Sequence, residues 1–386
     1  MQRLFRERLT KHLKVRNENP HDLPKLVRRR QQQQGGGNQR FAIWDCRHDY
    51  CHASAWDDTS YFQPTEGGGD AKNPWSQPDL VQKHRPADRV VRGTHVAFTA
   101  WFEGNFGHYF DDHLPSIAYL KSQVPPDTRF LLQDRPLSRN VLRFLDPLFY
   151  HQRIEWIQED EIVEIQDGDL LVSQAAAMPL FFGCCRPYDF LRHWIHQQHP
   201  LVPPNEQRRV VFYSRASSDT GHGRVLDATQ EQQAIAMVKK AMVQYQLPPQ
   251  TELLVFTGQN SHGETLAVEE QFAIFRSART IVGPHGAGLM GNLAWIDPLP
   301  RSCERRVQLL EFIPGPHSTA VQPLFHSVYL RWRVWPVEIH NILYTKESSG
   351  LHTYIDLNDL RQALHGMWGQ SSSSRKKTRA AVTQSH

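Results

Sequence analysis

Arg279–Trp295 reads RTIVGPHGAGLMGNLAW, and the reading of this stretch decides the fold. Thr280-Ile281-Val282 is a short β-type run. It breaks at Gly283-Pro284, and His285-Gly286-Ala287-Gly288-Leu289-Met290 predicts the first turn of a helix. A strand that feeds a glycine-rich turn and a helix start presents free backbone N–H groups and the positive end of the helix dipole, which suits an anion. The small residues Gly286, Ala287 and Gly288 let a phosphate approach the backbone. His285, at the lip, has ring nitrogens that can donate to a phosphate oxygen. The same stretch serves equally as a tight packing turn. Its spacing is neither the G-x-G-x-x-G of a dinucleotide fold nor the G-K-[ST] of a P-loop.

HGAG also occurs in the oxyanion strand of some esterases. The chain carries no G-x-S-x-G nucleophile elbow, which argues against that chemistry. The stretch therefore suggests a bound phosphate or diphosphate without naming it.

A chain of 386 residues is long enough for two domains, each with its own core. Hydrophobic content of 39% and charged content of 22% fit a globular protein with polar ends. The net charge of +4 is compatible with anionic ligands and too small to argue for nucleic acid. The 21 histidines are scattered rather than set at metal-ligand spacing. Cys46, Cys51, Cys184, Cys185 and Cys303 form no zinc pattern, and their odd number leaves at least one thiol unpaired within the chain. Cys46 and Cys51 would close a short loop in an oxidising compartment, and the count does not settle the compartment. No apolar run is long enough to span a membrane. The basic start, MQRLFRERLTKHLKVRNENP, has no apolar core of a secretory signal, and its Leu4, Phe5, Leu9 and Leu13 fit one face of a surface helix.

In chain order, residues 1–40 are expected to be a disordered basic segment ending in the low-complexity QQQQGGGN of Gln31–Asn38. Residues 41–200 are expected to form a first α/β domain. Its pieces include a strand at Val96–Trp101, a strand at Arg129–Leu132, one helix over Arg139–Phe149 and another over Phe190–His199. The proline-rich Pro200–Gln207 is the domain boundary. Residues 201–345 alternate apolar strands and helices: Arg209–Tyr213, Thr229–Tyr245, Leu253–Phe256, Leu266–Ala278, Thr280–Val282 and Val307–Ile313, with a fifth strand at Tyr329–Val337. That pattern predicts a parallel sheet covered on both faces. A C-terminal helix over 346–368 and a disordered tail over 369–386 complete the chain.

Ligands of such sheets bind at the carboxyl ends of the strands. The strand ends carry Ser214-Arg215, with Arg224 after a loop, Pro284-His285, and Glu311. Guanidinium groups bind phosphate bidentately and stay charged, which a diphosphate requires. A carboxylate such as Glu311 can accept from the hydroxyls of a ribose. In the first domain, Gly107-His108 and Asp112 lie on a turn entering a helix that Pro115 bends or restarts. His108 and Asp112 are four apart and share a helical face. Such a pair acts as a general base or as a hydrogen-bonding cap.

Ser214-Arg215, the Gly283–Leu289 turn with Asn292, and Leu310-Glu311-Phe312 occur in the order seen in family 61 glycosyltransferases. Gly107-His108 with Asp112-His113-Leu114-Pro115 resembles that family's N-terminal signature. The family includes plant xylan arabinosyl- and xylosyltransferases and animal O-linked N-acetylglucosaminyltransferases. The resemblance covers roughly Val96 to Val337. It implies a GT-B fold of two Rossmann-like domains with an intervening cleft. It also implies inverting transfer from a UDP-sugar, without cofactor or bound metal, to a glycan or glycoprotein hydroxyl. By the same resemblance His108 or Asp112 is the base. Arg215, Arg224, His285, Gly286, Ala287 and Gly288 hold the diphosphate, and Glu311 the ribose. The family works in the Golgi or ER lumen behind a signal anchor, which is not visible here. Where the family usually carries an Asn-Glu pair, this chain has Asp227-Ala228. A catalytically degenerate nucleotide- or carbohydrate-binding protein of the same fold is the alternative.

Overall fold

The computed structural model describes residues 25–29, 39–47, 50–56, 61–62, 85–98, 106–174, 186–200, 206, 208–216, 225–296, 307–314, 337–346 and 352–369. The chain divides into two compact units, Met1–Pro200 and Leu201–His386. Both are mixed α/β.

The first unit holds two sheets. One is built on β6 (His95–Ala97), β7 (Arg129–Gln133), β8 (Ile154–Ile157) and β10 (Leu170–Gln174), parallel and ordered β10-β6-β7-β8. Helical crossovers join β6 to β7 and β7 to β8, as parallel pairing demands. The other has β2 (Gln39–Arg47), β3 (Tyr50–Trp56), β4 (Tyr61–Phe62), β5 (Arg89–Arg92) and β9 (Ile162–Gln166), in the order β4-β3-β2-β9-β5. Lys25–Arg29, inside the stretch expected to be disordered, is a strand, β1. It runs antiparallel to β10 and occupies that sheet's edge, where the backbone groups of β10 would otherwise lack strand partners. The low-complexity Gln31–Asn38, the N-terminal helix expectation and residues 99–101 of the expected first strand lie outside the described residues. So do Cys184, Cys185, Cys303 and the side chains of Cys46 and Cys51.

Between β6 and β7 the chain is helical from Phe106 to Gln123, with a π turn at Tyr109–His113 ahead of α1 (Leu114–Gln123). Pro115 explains it: the ring lacks an N–H and crowds the carbonyl four residues back, so the ladder widens instead of breaking. The single helix expected over Arg139–Phe149 is two, α2 (Pro136–Leu145) and α3 (Pro147–Arg153). Pro147 forces Asp146 out of helical geometry, to φ −151° and ψ 87°, and the freed Asp146 side chain caps α3 by accepting from Phe149 N at 2.9 Å.

Asp146 is buried and also accepts from Lys121 Nζ at 2.9 Å, on α1, and from Trp194 Nε1 at 2.8 Å, on α4 (Arg186–Gln198). Lys121 lies 4.3 Å from the centre of the Trp194 ring. One carboxylate thus ties three helices together. Burial pushes its pKa up, but the Phe149 N–H, Lys121 and Trp194 outweigh this and hold it below the ordinary 3.8.

The second unit is one seven-stranded sheet. Its strands are β11 (Arg209–Tyr213), β12 (Val225–Leu226), β13 (Glu252–Phe256), β14 (Ala278–Pro284), β15 (Val307–Pro314), β16 (Val337–Lys346) and β17 (His352–Ile355), in the order β12-β17-β16-β15-β14-β11-β13. The run from β13 to β16 is parallel throughout. β17 turns back antiparallel to β16. The strands read as unbroken apolar runs because helices cover both faces. Val210, Phe212, Val282, Leu310 and Phe312 pack with α5 (Ala228–Gln244) and α8 (Leu357–Trp368). On the other face Phe256 meets Phe275 of α6 (Val268–Arg276) edge to face, 5.0 Å between ring centres. The helix expected over 346–368 is shorter: β16 runs to Lys346, β17 follows, and Asp356 caps α8 by accepting from Asn358 N. Residues 329–336 of the expected fifth strand lie outside the described residues, and β16 starts at Val337.

Replacing Asp146 by Ala leaves Lys121 without its buried counter-charge and α3 without its cap. Denaturant unfolding should find the protein weaker by roughly 3 kcal/mol. The depressed carboxyl contributes stability at every pH above its ordinary value. That contribution is lost as the pH falls through the lowered folded-state value, so the wild-type advantage over D146A should shrink only in strong acid.

Candidate functional site

After β12 at the far edge, the chain enters β13 beside β11, crosses to β14 on the other side of β11, and then steps outward to β15 and β16. The winding therefore changes direction at β11 and β14, and an open α/β sheet takes its ligand beyond the carboxyl ends of the strands at such a point. β11 ends at Tyr213 and is followed by Ser214-Arg215, and β14 ends at Pro284 and is followed by His285. The topology therefore brings Arg215 and His285 to one place from 70 residues apart in sequence.

There the side chains are tightly specified. Arg215 Nη1 donates to the His285 carbonyl at 3.1 Å. His285 does not stand at an open lip: it is 1% exposed, because its N–H continues the ladder to Phe312 O at 2.9 Å. Its Nδ1 meets Glu311 Oε1 at 2.6 Å, and Glu311 is also 1% exposed. Glu311 sits on β15 in register with Gly283, which sets the reach between the two side chains. The contact leaves Nε2 on the opposite edge of the ring. Glu311, expected at a ribose, is thus engaged by His285.

The glycines of the turn make room for the protein itself. A Cβ on Gly286 would lie 2.2 Å from Arg215 Nη1, and one on Gly288 would lie 2.5 Å from Tyr213 Oη. A Cβ on Gly283 would meet the Tyr213 carbonyl oxygen at 2.3 Å. Burial raises the Tyr213 phenol's pKa against the opposing effects of Arg215 and the Leu289 N–H. The helix that follows, α7 (Ala287–Asn292), is short and runs into a 3₁₀ turn over Leu293–Trp295. Asn292 is buried and donates to Gly288 O at 2.8 Å and to Gln271 Oε1 at 3.1 Å, which joins α7 to α6.

One neighbouring residue escaped the sequence reading. Glu231, in the first turn of α5, is 5% exposed and accepts from Ser214 Oγ at 2.8 Å. Burial raises its pKa against the Ser214 hydrogen bond. A signal was present: Glu231 falls in the stripe of Ala234, Val238 and Ala241, so a carboxylate occupies a core-facing position. Asp227 is the cap of α5, accepting from Thr229 N and Gln230 N, and Ala228 is exposed.

Of the expected site residues, Arg215, His285, Gly286, Gly288 and Glu311 come together here, and Ala287 follows Gly286 in the turn. Arg224 lies outside the described residues. His108 and Asp112 lie in the first unit, on the helical turn and π turn before α1, and their side chains lie outside the description. Between them and α1, His113 is buried against Tyr109 and Phe98. Among the described residues no group of three or more His, Cys, Asp or Glu is placed to hold a metal ion, and no helix is long and apolar enough to cross a membrane.

A protein-family model, Glycosyltransferase 61, matches residues 106–299, half of the chain and a span that takes in both the π turn and the Arg215–His285 crevice. No curated protein matches the chain. The chain belongs to glycosyltransferase family 61 and is a glycosyltransferase.

Two glycine substitutions separate a clash with backbone from a clash with a side chain. Gly283→Ala drives a Cβ into backbone and should cost about 2 kcal/mol in thermal or denaturant unfolding. Gly286→Ala meets only the mobile end of Arg215, so stability should fall by roughly 1 kcal/mol or less.

Proposed function

We propose that this family 61 enzyme moves a sugar of the xylose, arabinose or N-acetylglucosamine class from a UDP-sugar to a hydroxyl of a glycan or glycoprotein. Transfer is inverting and metal-independent, on a GT-B arrangement in which the second unit holds the donor. The observation that carries this reading is the convergence of Arg215 and the His285–Glu311 pair at the crevice between β11 and β14, where an open α/β sheet takes its ligand.

In this scheme the diphosphate lies across the turn after Pro284. Arg215 supplies a permanent charge, and amides of the Gly286–Gly288 turn point at the phosphate oxygens. By the family resemblance Arg224 is a second ligand of the same group. In this scheme His285 carries protons on both ring nitrogens, donating from Nε2 to a phosphate oxygen and from Nδ1 to Glu311 Oε1. His108 or Asp112 takes the proton of the acceptor hydroxyl. The oxygen forms its bond to the anomeric carbon from the face opposite the nucleotide, the bond from that carbon to the diphosphate oxygen breaks, and UDP departs with the electron pair. Arg215 and His285 stabilise the charge that grows on it. The family also supports a setting in glycan biosynthesis within the Golgi or ER lumen.

The first test is a thermal-shift comparison of UDP, GDP, CDP, NAD and ATP, each with and without EDTA. A ligand that binds only the folded protein raises its melting temperature. Selective stabilisation by UDP that survives EDTA is expected, and stabilisation by UDP that EDTA abolishes would overturn metal independence. Arg215→Ala should lower turnover about 10²-fold or more, and near-normal turnover would remove Arg215 from the site. Donor binding by the wild-type chain with no turnover on any acceptor would favour the degenerate binding protein, with Ala228 in place of the family's Glu as its cause.

A further inference from the structure

We infer that Glu231 is a positioning residue for Arg215, acting through Ser214; the inference rests on the reading of Arg215 as a diphosphate ligand. Ser214 Oγ donates to Glu231 Oε1 at 2.8 Å and accepts from Ala216 N at 3.1 Å. One hydroxyl thus grips the chain on both sides of Arg215. From that turn the Arg215 side chain extends over Gly286 and donates to the His285 carbonyl. The direction of the guanidinium therefore depends on where Ser214 is held.

Glu231 is itself firmly placed. Asp227 caps α5 through the N–H groups of Thr229 and Gln230. The Gln230 side chain makes two bonds to Ile355 of β17, donating to its carbonyl at 2.8 Å and accepting from its N–H at 2.7 Å. The first turn of α5 is therefore fixed to a second strand, and Glu231 carries that fixed position to the end of β11. The carboxyl is an expensive way to fill a core position. Among the described residues its Oε2 is buried with no hydrogen-bond partner, which costs stability that an apolar side chain would not. What the carboxyl does there that an apolar side chain would not is hold the turn beside Arg215.

The test is a double-mutant cycle read by UDP affinity, using the full chain. Glu231→Ala should weaken UDP binding about tenfold, the size of a lost hydrogen bond to a charged group. Glu231→Gln keeps an oxygen that accepts from Ser214 and should restore most of the affinity. In an Arg215→Ala background Glu231→Ala should change UDP affinity little, because the residue it positions is gone. An equal loss in both backgrounds would overturn the inference, as would no loss in either. Amide exchange at Ala216, measured without ligand, gives a second arm. It should accelerate in Glu231→Ala and stay near wild type in Glu231→Gln; unchanged exchange in both would overturn the inference. A wild-type chain that binds no UDP would remove the proposed donor, while the exchange arm would still decide whether Glu231 holds the turn.

Discussion

An imidazole and a carboxylate buried against each other at the ends of two adjacent parallel strands set the terms for the second unit. Neither His285 nor Glu311 is more than 1% exposed, and their 2.6 Å contact supplies the polar partner that such burial demands. Removing one would strand the other in a dry environment, and a lone buried charge is the costlier outcome. The pair also requires the β14–β15 register, because Gly283 opposite Glu311 brings His285 to the right height. A slip of one residue would send Glu311 into the apolar layer that Leu310 and Phe312 share with α5 and α8.

The glycines belong to the same constraint. Where the chain passes from β14 into α7 against Tyr213 and Arg215, a Cβ at Gly283 would meet backbone, and one at Gly286 or Gly288 would displace the Arg215 or Tyr213 side chain. The result is a preorganised surface: Arg215 held by a backbone carbonyl and, through its neighbour Ser214, by α5, with His285 held by a carboxylate. Groups fixed before a ligand arrives need little rearrangement to stabilise charge that develops on it.

Much of this was legible in the sequence, for physical reasons. Parallel strands buried on both faces read as apolar runs, so Arg209–Tyr213 and Val307–Pro314 were visible almost to the residue. The rule that ligands gather at strand ends picked out Arg215, His285 and Glu311 before their contacts were known. What the sequence withheld depends on distant partners. Glu231 answers to Ser214, 17 residues away, and that distance hid a signal that lay in the apolar stripe of its own helix. His285 seemed to belong at a surface lip because nothing local shows that the ladder continues past Pro284. The break at Asp146-Pro147 was readable, since the residue before a proline leaves helical geometry, and apolar spacing across the break concealed it. β1 lay in a basic stretch whose pairing with β10 only the folded sheet reveals.

The most direct measurement is a crystal structure of the full chain with UDP bound. The account predicts the diphosphate beyond the ends of β11 and β14, with a phosphate oxygen within hydrogen-bond reach of Arg215 and of His285 Nε2, and with the His285–Glu311 contact kept. A nucleotide bound away from that crevice, or a diphosphate that touches neither Arg215 nor His285, would contradict it.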